Sequence, residues 1–249
     1  MTPYEQFKQE GHDEIAALGA NPALRDASRS WINQANAGKY SYHFEWMGRP
    51  IIQYPQDVMA MQEIIWRVQP DLIIETGIAH GGSLIFNAAM LELNAACGGP
   101  AEAEVLGLDI DIRAHNRAAI EAHPMARRIS MLQGSSIAPE VIAQVVAKAR
   151  HKRSVLVILD SNHTHAHVLA ELQAFAPLVT VGSYCVVFDT VIEDMPDNMF
   201  PDRPWGPGNN PKTAAHAFLK TNPQFEIDRE IDHKLLISVA PEGYLKRVQ

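Results

Sequence analysis

The feature that most narrows the fold of this chain is an alternation. From residue 71 onward, short runs rich in Val, Ile and Leu recur at 71–76, 104–110, 128–133, 154–160 and 184–189. Each is strand-length and nearly continuous in apolar side chains, as expected of strands buried on both faces of a parallel sheet. Between them, Leu84/Ala88/Leu91, Ile137/Val141/Val145 and Val168/Leu172/Phe175 recur at helical spacing and supply the apolar faces that cover such a sheet. Five βα units in succession predict an α/β, Rossmann-like architecture built on a mostly parallel sheet.

The pattern changes at both ends. Residues 195–211 contain Pro196, Pro201, Pro204, Pro207 and Pro211 and read as a long loop after a strand, where α/β proteins tend to place substrate-contacting elements. Segments 225–231 and 234–240, separated by Asp232-His233, predict a C-terminal antiparallel hairpin. Residues 1–55 carry helical patches at 3–18 and 22–36, followed by the aromatic run Tyr40, Tyr42, His43, Phe44 and Trp46. The expected organisation is an N-terminal helical extension over 1–55, serving as cap, subunit contact or substrate lid, and one α/β domain over 56–249.

Composition removes several functional classes. With 21 Lys and Arg against 29 Asp and Glu, the 249-residue chain carries a formal charge of −8, so it lacks the overall basic character of a nucleic-acid or anionic-membrane binder. Its two cysteines, Cys97 and Cys185, form no CxxC pair, which argues against a disulfide scaffold and a thiolate zinc site. No apolar stretch has the length of a membrane span and the N-terminus lacks a signal-peptide pattern, so a cytoplasmic location is expected.

The chemistry concentrates where strands should end. Glu75-Thr76-Gly77-Ile78-Ala79-His80-Gly81-Gly82-Ser83 puts an acid and a glycine-rich turn at a strand-to-helix junction. Gly77 and Gly81 permit close approach of a ligand to the backbone, and the helix that begins near Ser83 aims free N–H groups at it. The spacing is not that of the GxGxxG dinucleotide fingerprint. Glu75 would repel a phosphate but suits a cationic amino acid or sulfonium, which favours S-adenosylmethionine over NAD; a purely structural turn is the alternative. Asp109, ending the next strand about one βα unit later, is placed to accept hydrogen bonds from a ribose diol, and Ser135, after the third strand, would lie beside the adenine.

Asp160 and Asp189 end the fourth and fifth strands, so both carboxylates project into one crevice, where hard oxygen ligands could hold Mg²⁺ and substrate hydroxyls. His163 follows Asp160 by three residues and is the candidate general base, since imidazole exchanges protons near neutral pH. His163-Thr164-His165-Ala166-His167 is also similar to the HxHxDH zinc motif of metallo-hydrolases, but His167 and Val168 occupy the positions that require Asp and His. On a helix, three histidines at alternate positions would not share a face.

These segments, together with Phe188-Asp189-Thr190 and the run from Pro204 through Trp205-Gly206-Pro207-Gly208-Asn209-Asn210-Pro211 to Ala214, resemble the cephalosporin hydroxylase/rhamnosyl O-methyltransferase family from about Tyr40 to the end of the chain. The resemblance implies a class I methyltransferase fold with a seven-stranded sheet, S-adenosylmethionine as donor, Mg²⁺ beside the methyl group, a sugar or related small-molecule acceptor and a homo-oligomer. The glycine turn is also similar to that of catechol-type O-methyltransferases, and Asp160-x-x-His163 is similar to macrolide sugar O-methyltransferases that use the His as base. The chain departs from the family at Phe188, where relatives commonly carry Glu. A cofactor-binding accessory subunit of a hydroxylase system and a metallo-hydrolase are the alternative readings.

Overall fold

The computed structural model describes residues 1–249. Helices α1 (Pro3–Gly19) and α2 (Pro22–Ala37) precede a two-stranded antiparallel hairpin, β1 (Phe44–Trp46) and β2 (Arg49–Ile51). Thr2 and Asn21 accept hydrogen bonds from the first turns of these helices, and a proline follows each cap, where its missing N–H costs nothing. Helix α3 (Pro55–Val68) then leads into the alternating body: β3 (Leu72–Thr76), α4 (Gly82–Ala96), β4 (Glu104–Asp109), α5 (Ala114–Glu121), β5 (Ile129–Gln133), α6 (Pro139–Ala149), β6 (Val155–Leu159), α7 (His165–Phe175) and β7 (Tyr184–Val187). Each of the five expected runs contains one of these strands.

The seven-stranded sheet has the order β5-β4-β3-β6-β7-β9-β8, the last two being β8 (Phe225–Ile227) and β9 (Tyr244–Arg247). Strands β3 to β7 run parallel, and β9 is antiparallel to both β7 and β8. All five residues of β3 and of β6 are buried, which explains their continuous apolar sequences. Their side chains divide between the faces: Ile73 and Leu156 belong to a cluster of 30 buried residues on one side, Ile74 and Val157 to one of 22 on the other. From β3 the chain proceeds outward to β4 and β5, then returns to β6 on the opposite side of β3. The loops after β3 and β6 therefore diverge and open a crevice at the carboxyl ends of the strands.

The C-terminal antiparallel pair is present, but with different boundaries from those expected. Residues 229–235 coil into α9 (Arg229–Leu235) instead of completing a strand, with Asp228 Oδ1 accepting from Ile231 N at 3.4 Å at the helix start. The segment 234–240 is not the second strand; that role falls to β9. Around Ser238 the hydrogen-bond partner is the buried carboxylate of Asp57 on α3, which accepts from Ser238 Oγ at 2.6 Å and Val239 N at 2.9 Å. The loop 195–211 ends in α8 (Pro211–Leu219), capped by Asn210. No helix is long and apolar enough to cross a membrane.

Candidate functional site

The β3 and β6 loops meet at the crevice. Gly77 has φ 89°, and a Cβ there would collide with the carbonyl oxygen of Asp160, so the close approach of the two loops requires glycine. Gly81, at φ 85°, precedes α4, whose N-terminus has no side-chain cap; Gly82 and Ser83 open that helix onto a cavity of about 560 Å³. Other parts of its lining include the Gly77–His80 backbone, Asp109, Asp160, His163 and Asp189. A depression of about 570 Å³ lies at the opposite, amino-terminal edge, beside Asp71, Cys97 and Arg153. It lacks the metal-ligand cluster found in the crevice, which is therefore the candidate site.

Asp160, His163 and Asp189 form the one group of metal-ligand type in the molecule, each offering an atom within 4.8 Å of the others. His163 Nε2 lies 3.2 Å from Asp189 Oδ2. Asp189 holds a left-handed backbone, φ 56°, as does Ala79 in the glycine turn at φ 45°; such strain persists where surrounding structure enforces it and collects at functional sites. Burial raises the proton affinity of Asp160 well above the carboxylate norm, with the negative charges of Asp189, Glu75 and Glu171 adding to it and the Gln53 hydrogen bond opposing. Gln53 Nε2 donates to Asp160 Oδ2 at 3.1 Å, while Gln53 Oε1 is buried without a partner.

Not every expected residue reaches the cavity. Glu75 is fully buried behind the turn, where its carboxylate accepts from Ser83 Oγ and, at 2.6 Å, from Asn87 Nδ2; it ties β3 to the first turns of α4. Burial outweighs these two hydrogen bonds and pushes its pKa up to about 7. Asp109 does line the cavity, yet its Oδ2 accepts from Ile78 N at 2.8 Å and Ala79 N at 3.4 Å, and its Oδ1 from Asp111 N at 2.9 Å. With about four acceptor positions on a carboxylate, this leaves room for roughly one ligand hydroxyl. Ser135 lies in the turn after β5, outside the lining; its neighbour Ser136 pairs with His167 Nε2 at 3.0 Å.

The remaining histidines of the 163–167 segment diverge. His165 Nδ1 meets Thr213 Oγ1 at 2.8 Å and its backbone N–H donates to Asn209 Oδ1 at 3.0 Å, so it anchors the end of the proline-rich loop. His167 turns to Ser136 and the buried Glu171. Only His163 joins the two aspartates, which removes a three-histidine zinc centre.

Two distant segments complete the cavity. From the N-terminal aromatic run, Ser41 and Tyr42 reach the lining, whereas Tyr40 packs edge-on against Trp31, Phe44 and Tyr54, and Trp46 against Phe86. From the loop after β7, Phe200, Arg203 and Trp205 face inward, and the Trp205 ring meets the His163 ring edge-on at 5.4 Å. Arg203 falls within the loop 195–211 marked in the sequence, whereas Asn36, Lys39 and Gln53 carried no signal that could have marked them: they are isolated polar residues outside any motif, and Gln53 stands 107 positions from the aspartate it contacts.

The family described as rhamnosyl O-methyltransferase/CmcI matches residues 38–248. Rhamnosyl O-methyltransferase of Mycobacterium tuberculosis H37Rv is 33% identical over 196 residues, covering 77% of this chain and 73% of that protein. The Mycobacterium leprae protein of the same name is 31% identical over 206 residues, covering 81% and 82%. Among solved structures, CmcI with S-adenosylhomocysteine superposes with a TM-score of 0.57 at 20% identity over 83% of each chain. An O-methyltransferase of Bacillus cereus in complex with the same molecule gives 0.50 at 14% identity, covering 80% and 81%. These structural likenesses establish the class I methyltransferase fold, and with a family match over nearly the whole α/β body, the chain belongs to the rhamnosyl O-methyltransferase/CmcI family of methyltransferases.

Proposed function

We propose that the protein transfers a methyl group from S-adenosylmethionine to a hydroxyl of a sugar-like acceptor, with a divalent cation, Mg²⁺ by preference, bound at Asp160 and Asp189. The observation that carries this reading is the convergence of the Asp160–His163–Asp189 cluster and the glycine turn on one cavity. One solved CmcI structure contains Mg and S-adenosylmethionine, and the curated relatives are named for a rhamnosyl acceptor.

The residues fit both groups. Two hard carboxylate oxygens suit Mg²⁺, and the unpartnered Gln53 Oε1 beside them is a further oxygen without a donor. Phe188 is buried at 5% exposure, so no third acid supplies this centre. The turn from Gly77 to Ser83 brings its main chain and the N-terminus of α4, which has no side-chain cap, to the cavity, with Asp109 at the edge to take one hydroxyl.

A divalent cation in this position would polarise the acceptor hydroxyl and favour its ionised form. The Asp189 carboxylate, 3.2 Å from His163 Nε2, would stabilise by its charge the imidazolium formed when His163 takes the hydroxyl proton. Trp205 braces the other side of the imidazole. Alignment of the nucleophile with the sulfonium carbon falls to the walls of the cavity, and such positioning can contribute about 7 to 11 kcal/mol to a reaction of this type.

Titration calorimetry with S-adenosylhomocysteine, with and without Mg²⁺, tests the donor and the cation together. His163→Ala is expected to lower turnover by about 10² to 10⁴ while both affinities stay within about threefold of wild type. A fall in Mg²⁺ affinity would make His163 a ligand, unchanged turnover would remove it from proton transfer, and failure of the wild-type chain to bind S-adenosylhomocysteine would overturn the reading.

A further inference from the structure

The charges lining the cavity do not cancel once donor and cation are counted. Asp109, Asp160 and Asp189 are its three acids, and Lys39 and Arg203 its two permanent cations, with His80 and His163 besides. S-adenosylmethionine carries a net charge of about +1 and Mg²⁺ a charge of about +2, which the three carboxylates balance. Lys39 and Arg203 are then left over. Neither side chain has a carboxylate partner or a hydrogen bond within the protein, although the chain as a whole is acidic. Arg203 instead stands 6.0 Å from the centre of the Trp205 ring, which also meets the rings of Phe200 and His163 edge-on.

A third donor lies on the N-terminal segment beside Lys39. Asn36 lines the cavity three residues before Lys39; its Oδ1 accepts from Tyr54 OH, and its Nδ2 is buried with no acceptor. A buried amide donor without a partner costs about 1 to 3 kcal/mol, which an acceptor oxygen on a ligand would relieve. The N-terminal segment and the loop after β7 thus present two unpaired cations, one orphaned donor and the aromatic faces of Tyr42, Phe200 and Trp205. The acids and the glycine turn all lie on the strand-end side.

We propose that the acceptor is a glycosyl phosphate or diphosphate: its phosphate is held by Lys39 and Arg203, with Asn36 Nδ2 as an additional donor, and its sugar ring rests on the aromatic wall that leads to His163. Guanidinium and ammonium groups are the usual partners of phosphate oxygens, and a flat apolar surface beside them suits the C–H face of a sugar. The inference rests on the methyltransferase reading for the charge count, but its test does not need turnover.

Binding of three probes to the full-length wild-type chain separates the alternatives: methyl rhamnoside, rhamnose 1-phosphate and a nucleoside diphosphate rhamnose, each measured by calorimetry with S-adenosylhomocysteine and Mg²⁺ present and with both absent. With S-adenosylhomocysteine and Mg²⁺ present, the two phosphorylated probes should bind at least about tenfold more tightly than the neutral glycoside; the margin should be smaller with both absent and should shrink as salt is raised. Tighter binding of the monophosphate would assign a sugar phosphate as acceptor, tighter binding of the diphosphate a nucleotide-linked sugar. Lys39→Ala and Arg203→Ala should each remove most of the margin while leaving S-adenosylhomocysteine affinity within about twofold, and Arg203→Lys should restore part of it. Equal binding of neutral and phosphorylated probes, or equal losses for both in the variants, would overturn the proposal. S-adenosylhomocysteine affinity in the same samples reports separately on the donor site.

Discussion

Replacing Glu75 by glutamine should make the protein more stable, and increasingly so as pH rises. Glu75 is fully buried, and burial lifts its pKa from the usual 4.5 to about 7 despite hydrogen bonds from Ser83 and Asn87. A carboxyl whose folded-state pKa exceeds its unfolded value holds its proton more tightly when folded, so stability falls as pH climbs between the two values. Below about pH 4.5 both states are protonated and there is no penalty; above about pH 7 the full penalty applies. A shift of this size corresponds to about 3 kcal/mol at 1.36 kcal/mol per unit. The introduced amide also has a partner waiting. Asn87 Oδ1 is buried without a donor, so the new side-chain NH₂ could donate to it once the Asn87 amide rotates, while the new carbonyl oxygen still receives the Ser83 hydroxyl. Urea denaturation of both proteins at about pH 5 and pH 8 gives the comparison; taking the difference cancels the titration of Asp57 and Asp232, whose pKa values are also raised, while Asp160, relieved of the Glu75 charge, shifts the balance in the same direction. Glu75→Gln should gain up to about 3 kcal/mol over wild type at the higher pH and well under half of that at the lower. A variant that loses stability equally at both pH values would show that the carboxylate contributes by its shape and hydrogen bonds, and that its buried charge carries no such cost.

Two further substitutions probe the frame of the site. Gly77→Ala adds a Cβ in a left-handed conformation against the Asp160 carbonyl, so the β3 and β6 loops must part; a loss of about 1 to 2 kcal/mol from the backbone alone should appear in thermal unfolding, with S-adenosylhomocysteine affinity falling at least tenfold, and retention of full affinity would contradict the close-approach argument. Asp57→Ala would strip the carboxylate from Ser238 Oγ, Val239 N and Tyr244 OH, the last at 2.6 Å; with about 1 to 3 kcal/mol for each buried group left unsatisfied, a drop of at least about 3 kcal/mol is expected in urea, and a smaller one would mean that water replaces the acid.

The parallel body of the fold was legible because its determinants are local. A strand such as Val155–Leu159 is apolar throughout since both of its faces are covered, and a helix such as His165–Phe175 shows its buried stripe at Val168, Leu172 and Phe175. The C-terminal hairpin was legible only in kind. Residues 234–240 are apolar enough for a strand, but the backbone N–H of Val239 is held by Asp57, 182 positions earlier, and the segment packs against α3 and the cavity wall. Composition reports burial; it does not report which partner satisfies the main chain.

The same distinction divides the site. Asp160, His163 and Asp189 could be brought together on paper because strand-end positions in a parallel sheet converge by geometry, whatever their separation in sequence. Glu75 shows the converse. Its place at the end of a strand beside a glycine turn suggested contact with a cation, but side chains of adjacent strand residues point to opposite faces, and the face that Glu75 takes lies over Ser83 and Asn87 of α4. Nearness along the chain therefore located the turn and left open which wall of it the acid would support. The residues that close the cavity, from Asn36 to Lys39 on one side and Phe200 to Trp205 on the other, follow no sheet rule at all. On the second side their placement comes from loop anchors such as Asn209 to His165 and Asn210 to Glu193. A wall built this way can change its charge and shape without disturbing the strands, so the strand ends would keep the chemistry while the loops select the acceptor.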